Sequence, residues 1–387
     1  MKTVAILDGQ TIQTLPVSKS LKKLGYRVIL LCESSNSYGY HTKYADEKLI
    51  APSTKEQSKK FHKFIFNFLH HHKVDYIIPM NDYSALFMSR YKSELQNFCD
   101  FIIPDYDVFM TGYDKNKLMK VCFENNFPHP KSSDLSLDSL SVASHYVGFP
   151  ALIKPNETTG ARGFAIINCE DELYKKLPEI QKEFGNCHLQ EYIPMGGQQF
   201  KVELFINENQ LINATVIHKI RFYPKKGGSS CYNQTVERND LVKLCFNVLK
   251  EINWIGFADF DLIEDPRDGI IKIMEINPRI PACIRASFNA GVDFVENIIK
   301  VSSGSSPTKY KYLPGSYLRY FGLDLLWFLG SKNRFKTQPS WFKGFFSSKH
   351  YLQDGSWDDP KPFIYGTIGG FLKQLNPKFR ATKKGMN

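Results

Sequence analysis

Gly256-Phe-Ala-Asp259-Phe-Asp261-Leu-Ile-Glu-Asp-Pro-Arg-Asp-Gly269-Ile-Ile-Lys-Ile-Met-Glu275-Ile-Asn277-Pro-Arg279 reads as two strands flanking a tight turn. The Glu-Asp-Pro-Arg-Asp-Gly segment supplies the turn formers. Side chains alternate along a strand. Asp259 and Asp261 therefore share a face of the first strand, and Glu275, Asn277 and Arg279 share a face of the second. Ile271, Ile273 and Met274 fill much of the rest. A hairpin that converges carboxylates and an amide offers hard oxygen donors suited to Mg²⁺ on phosphate oxygens. Burying several acids together without a cation is costly. The plain alternative is a solvated polar face of an antiparallel sheet. The apolar content around these positions argues against it.

Upstream, Phe149-Pro-Ala-Leu-Ile-Lys154 is an apolar strand that delivers a lysine. A Gly/Thr loop holding Gly160, Arg162 and Gly163 follows, then a second strand to Ile167. Such a loop lets backbone N–H groups approach phosphate oxygens, and Lys154 and Arg162 add charge. An ordinary hairpin with a chance lysine is the competing reading. This is strand–loop–strand, not a P-loop, and no Gly-Lys-Ser/Thr occurs. Between the two hairpins, His188-Leu-Gln190-Glu191-Tyr-Ile193-Pro is a short extended segment entering a glycine turn. It suits a hinge pairing with a base edge, but by itself the segment favours a plain hairpin. Alternation also puts Lys219 and Arg221 on one face, where Arg221 suits an anionic substrate or phosphate and a solvated basic face is the alternative.

The N-terminal part alternates strands (3–8, 27–32, 74–79, 101–104) with helices (15–25, 59–72, 82–97), which predicts βαβ units and a parallel sheet. The loop Asp8-Gly-Gln-Thr-Ile-Gln lacks Gly-x-Gly-x-x-Gly, so no NAD or FAD is assigned. His70–His72 reads as a solvated helix end. Asp114 is a good N-cap for a helix from Lys115. Ser302–Pro307 reads as a linker.

The chain has 387 residues and a formal net charge of +11. From Val301 onward it holds 14 Lys+Arg against 4 Asp+Glu, leaving 36 basic and 35 acidic groups before that point. The basic character therefore belongs to the C-terminal region, which also holds 18 of the 54 aromatics. So many Phe and Tyr exclude general disorder, and no apolar run is long enough to span a membrane. The N-terminus lacks a signal-peptide apolar region. Eight scattered cysteines without a Cys-x-x-Cys read as reduced thiols of a cytosolic protein.

The Phe-Pro-Ala-Leu-Ile-Lys-Pro strand with its glycine loop, followed in order by Ile-Met-Glu-Ile-Asn-Pro-Arg, resembles the ATP-grasp superfamily. The resemblance is closest to single-module proteins similar to one half of the carbamoyl-phosphate synthetase large subunit, and it covers roughly Met1 to Ile299. It implies an α/β chain (α+β in the nucleotide module). Residues 1–112 would be a Rossmann-like domain. Residues 113–189 and 190–304 would be the two α+β subdomains of an ATP-grasp fold, the first carrying the lid and the second the metal site. Residues 305–387 would be a basic aromatic extension. By resemblance, Lys115 and Lys154 are the nucleotide lysines, and Gly160, Arg162 and Gly163 belong to the lid. Gln190, Glu191 and Ile193 line the adenine hinge. Gln199 stands near the ribose position, where many relatives have glutamate. Asp261, Glu275 and Asn277 are the metal ligands, and Arg279 and Arg221 act on the transferred phosphoryl or acyl group. The implied cofactors are ATP and Mg²⁺, taken as two ions, with Mn²⁺ as a substitute.

The implied reaction is carboxylate activation by ATP as an acyl phosphate, then acyl transfer to an amine, with release of ADP. Small-molecule carboxylates and amines are the expected partners. Phosphorylation of a carbonate or carbamate, and a non-catalytic nucleotide-binding scaffold, are the alternatives. No nucleic-acid module is recognised. Tyr317–Leu329 reads as an amphipathic helix with Arg319 and Asp324 on its polar side, which suits peripheral membrane contact from the cytoplasm. A homo-oligomer is compatible with the sequence.

Overall fold

A computed structural model describes residues 1–136, 139–158, 163–224 and 228–375, with side chains except at 343 and 369–375. Its N-terminal part is a parallel sheet of β1 (Thr3–Leu7), β2 (Arg27–Cys32), β3 (Glu47–Ile50) and β4 (Tyr76–Pro79), in the order β3-β2-β1-β4. The central strands are almost wholly apolar because both faces are covered. Val4, Ile6, Val28 and Leu30 pack with Val17 and Leu21 of the helix Thr14–Lys23. The alternate residues Ala5, Leu7, Ile29 and Leu31 join Phe61 and Ile65 of the helix Ser58–His71. The expected strand at 101–104 is only a bridge between Tyr76 and Asp100. Pro104 has no N–H to extend it. The helix expected over 82–97 is broken into Asp82–Arg90 and Lys92–Leu95. His71 and His72 turn Nδ1 onto the carbonyls of Asn67 and Phe68, as the helix-end reading requires.

A second sheet holds β5 (Ser132–Asp134), β6 (Ala151–Pro155), β7 (Ala165–Ile167) and β8 (Cys187–Glu191), in the order β5-β8-β6-β7. The helix Glu170–Phe184 covers it with Leu173 and Leu177. Gly163 has φ +71°, and a Cβ there would stand 2.6 Å from the Phe184 ring. Only glycine fits both the backbone and the space.

The third sheet comprises β9 (Gln199–Asn207), β10 (Gln210–Tyr223), β11 (Ser229–Thr235), β12 (Gly256–Glu264), β13 (Ile271–Asn277), β14 (Tyr317–Arg319) and β15 (His350–Leu352). Their order is β13-β12-β9-β10-β11-β14-β15. The C-terminal region thus completes this sheet. Residues 303–306 of the expected linker are exposed, and just beyond it the chain is strapped back onto the core. Thr308 N donates to Asn297 Oδ1 at 2.7 Å, and Tyr312 Oη donates to the carbonyls of Val216 and Val236 at 2.9 Å. The amphipathic reading of 317–329 is corrected as well. Only Phe321–Gly330 is helical, and its polarity is inverted. Arg319 and Asp324 are buried while Leu326 and Leu329 are exposed. Among the described residues no helix is long and apolar enough to cross a membrane.

Candidate active site

The register of β12 and β13 sets Asp261 opposite Glu275 and Asp259 opposite Asn277. On the other side, β9 sets Lys201 opposite Asp261. Lys201 Nζ donates to Asp259 Oδ2 at 2.6 Å and to Asp261 Oδ2 at 3.2 Å. Lys219 Nζ donates to Asp261 Oδ1 from β10. Asn277 Nδ2 donates to Asp261 Oδ2 at 3.2 Å, and Arg279 Nη2 donates to Asn277 Oδ1 at 3.1 Å. Arg279 also lies 3.5 Å from Asp259 and 3.3 Å from Asp82, at the start of the helix that follows β4. The N-terminal sheet therefore contributes a carboxylate to this cluster.

Burial raises the carboxyl of Asp259, against the pull of Lys201. Burial acts in the same direction on Asp261, but Lys201 and Lys219 outweigh it and hold that group ionised. Glu203 has no comparable partner. Burial, reinforced by Asp259, pushes it up to about 7 against hydrogen bonds from Ser287 and Thr215.

Among the described residues no three His, Cys, Asp or Glu side chains form a ready cage. Two opposed carboxylates and an amide are present instead. Mg²⁺ commonly takes one or two carboxylates and completes its shell with water and substrate phosphate. Asp261, Glu275 and Asn277 fit that requirement, and one oxygen of Asp259, Oδ1, is buried without a hydrogen bond.

A helix and the second sheet each bring a lysine towards the hairpin. Lys115 opens the helix Lys115–Glu124, which Asp114 caps by accepting from the N–H groups of Asn116 and Lys117. Its Nζ donates to Thr158 O at 2.6 Å and lies 3.4 Å from Glu275. Lys154, on β6, donates to Gln190 Oε1 at 3.0 Å, and Gln190 Nε2 in turn donates to Ser132 Oγ. His188, opposite Lys154, is fully buried with Nδ1 2.9 Å from Asn156 Oδ1. Burial, with Lys154 and Lys115 nearby, keeps its ring neutral.

Burial lowers the Lys154 ammonium from 10.5 to about 8, with Lys115 adding to the shift and Glu275 opposing it. Between these values the unfolded chain holds more protons than the folded one. This group therefore makes the ligand-free fold more stable as pH rises through that window. Phosphate binding needs the charged form and has the opposite trend. ATP affinity is expected to fall as pH rises above about 8, approaching tenfold per pH unit, and Lys154→Arg should flatten the profile. Titration calorimetry at neutral and alkaline pH checks both.

Gly160 and Arg162 are outside the described residues. Glu191 is tied to Arg267 at 2.5 Å and Lys272 at 3.3 Å, and its N–H donates to Lys131 O. Ile193 is half-buried in the loop after β8, and Gln199 opens β9 opposite Lys219. Gln190 is wholly buried and its side chain orients Lys154.

Arg221 is a correction. Its guanidinium is buried, pairs with Asp324 at 2.8 Å and donates to Pro339 O at 3.2 Å. It also lies 3.8 Å over the Tyr232 ring. These partners belong to β11 and the C-terminal region, so the residue is an anchor and not part of the cluster. Three residues here carried a sequence signal that was missed. Lys201 and Glu203 are polar at alternate positions of an otherwise apolar strand, and Asp82 follows the end of a parallel strand, where ligands of such sheets bind.

Residues 113–283 match the family profile described as the ATP-grasp domain. The chain carries an ATP-grasp domain. The Campylobacter jejuni carbamoyl phosphate synthase large chain is 25% identical over 280 residues, 68% of this chain and 25% of that protein. The Enterococcus faecium D-aspartate ligase is 26% identical over 226 residues, 52% of each chain. The chain thus spans about a quarter of the first relative and about half of the second. Among solved structures, Campylobacter jejuni biotin carboxylase superposes with a TM-score of 0.69 at 17% identity, covering 81% of this chain and 74% of that one. That likeness is one of fold. All but one of the clustered side chains fall inside the matched domain; Asp82 is supplied from outside it.

Proposed function

We propose that the chain is an ADP-forming ligase that activates a carboxylate with ATP and passes the acyl group to an amine. One observation carries the reading: Lys115, at the start of its helix, lies 3.4 Å from Glu275 of the acidic hairpin, and Lys154 of the second sheet feels the charge of the same carboxylate. Asp261, Glu275 and Asn277 would hold a divalent cation, which would supply charge neutralisation to the phosphates of ATP. Lys115 and Lys154 hold the triphosphate as preorganised cations. Arg279 steadies the oxygens of the transferred phosphoryl group and the acyl phosphate, and Asp82, Asp259 and Asn277 fix its guanidinium. The carboxylate oxygen attacks the γ-phosphorus as ADP leaves. The amine then attacks the acyl carbon and expels phosphate. Positioning carries the catalysis, and no side-chain nucleophile is needed. The named activities of the two curated relatives support ATP-dependent acyl chemistry and leave the acceptor to experiment.

ADP release from Mg-ATP, measured across pools of amino acids, other carboxylates and bicarbonate, tests this. Release is expected only with a particular pool, and it should vanish with a chelator. Glu275→Gln should reduce it about a hundredfold or more, since it removes one metal-binding charge. Dependence on bicarbonate alone would favour the carbonate-phosphorylating alternative. ATP binding without release in any pool would overturn the ligase reading in favour of a scaffold.

A further inference from the structure

Eleven of the 22 exposed large apolar side chains among the described residues lie beyond residue 312, in the last fifth of the chain. The helix Phe321–Gly330 turns Asp324 and Trp327 inward and leaves Leu329 63% exposed. The following loop exposes Phe335 by 71% and Phe346 by 91%. Ring contacts make the patch continuous: Phe335 stacks on Phe342 with centroids 6.3 Å apart, and Trp341 meets Phe345 at 4.9 Å. Phe321 links Phe345 to Phe363, the latter in the helix Lys361–Leu375. On that helix Ile364 and Ile368 stand one turn apart and half exposed.

Charge selects the occupant. From Leu325 to Gln353 the sequence has five Lys or Arg and no Asp or Glu. Lys332, Lys336 and Lys349 are exposed, and no ion pair among the described residues engages them. The sequence after the last described residue continues this bias with Lys378, Arg380, Lys383 and Lys384. A second copy of the chain would place this face against itself, bringing like charges together around the rings. Protein interfaces are also depleted in lysine. Exposed aromatic and leucine side chains interspersed in sequence with exposed lysines match the boundary of an anionic bilayer, where rings enter the headgroup layer and ammonium groups meet lipid phosphates.

We propose that this C-terminal face docks the protein peripherally on an anionic phospholipid bilayer. Sedimentation of the full chain with vesicles of phosphatidylcholine, alone or mixed with phosphatidylglycerol, tests it. Three exposed lysines predict about a hundredfold preference for the anionic vesicles, lost at high salt. Lys332→Glu with Lys336→Glu should abolish that preference. Phe346→Glu with Leu329→Glu should abolish pelleting while ATP binding and the unfolding midpoint stay at the parent values. A parent protein that stays in the supernatant with both vesicles overturns the proposal. So does equal pelleting of the Phe346/Leu329 variant. A dimer in light scattering that this variant dissociates would assign the face to a second copy instead.

Discussion

Lys154→Ala is expected to fold like the parent and to lose ADP release by about a hundredfold to a thousandfold, the usual cost of removing one preorganised donor from developing charge. The side chain stands on β6, in the core of the second sheet, with its ammonium against Gln190. Burial already disfavours that charge in the ligand-free protein. Removing it should leave the unfolding midpoint unchanged or slightly raised, so the loss of turnover cannot be blamed on the fold. Calorimetry should show the matching loss of ATP affinity. An insoluble variant would mark Lys154 as structural. Undiminished turnover would mean that Lys115 and the cation suffice at the phosphates.

How far the sequence reached depended on how local each signal was. Asp261, Glu275 and Asn277 were legible because one hairpin holds all three, and strand alternation fixes their face without knowledge of the rest. For Lys115 the residues themselves gave only a helix start after the cap Asp114, and its nucleotide role came from the resemblance. The central strands of the parallel sheet were legible because they are apolar on both faces. Edge strand β3 was missed because Glu-Lys-Leu-Ile carries little apolar signal. Arg221 was misread for the opposite reason. Alternation put it beside Lys219, but the β10–β11 ladder is irregular between them, and the partner that claims it lies 103 residues later. The same distance hid the true state of Arg319 and Asp324. Two charges in an otherwise apolar segment look solvent-facing until the strand that buries them is known. The place of Asp82 after a parallel strand marks it as a site candidate, but not as a partner of a hairpin in another sheet. Sequence spacing cannot show which helix start will meet the guanidinium of Arg279.

Asp324→Ala is expected to give the largest loss of stability, about 3–5 kcal/mol, since it strips the counter-charge from buried cations. Asp324 is fully buried between two guanidiniums. Arg221 donates to it through Nε at 2.8 Å and Nη2 at 3.2 Å, and Arg319 lies 3.1 Å away. Both guanidiniums sit over the Tyr232 ring, and Arg319 also faces Trp341 and Phe345. Water cannot readily replace the carboxylate among these rings. Arg221→Met should cost less, because it leaves one cation on one carboxylate and keeps the side-chain volume. Denaturant unfolding of both variants, with ADP release normalised to the folded fraction, separates anchor from catalyst. An anchor lowers stability and leaves turnover per folded molecule near the parent value. A catalytic Arg221 would lower turnover in protein as stable as the parent. The anchor also has a consequence for the site, because β10 carries Lys219 two residues before Arg221. The ion triad holds the far end of the strand that presents Lys219 to Asp261, and the same triad seats the helix and loop of the apolar C-terminal face. Loss of Asp324 should therefore loosen that face before it loosens the acidic hairpin, with amide exchange rising first in 317–330 and last in 256–277.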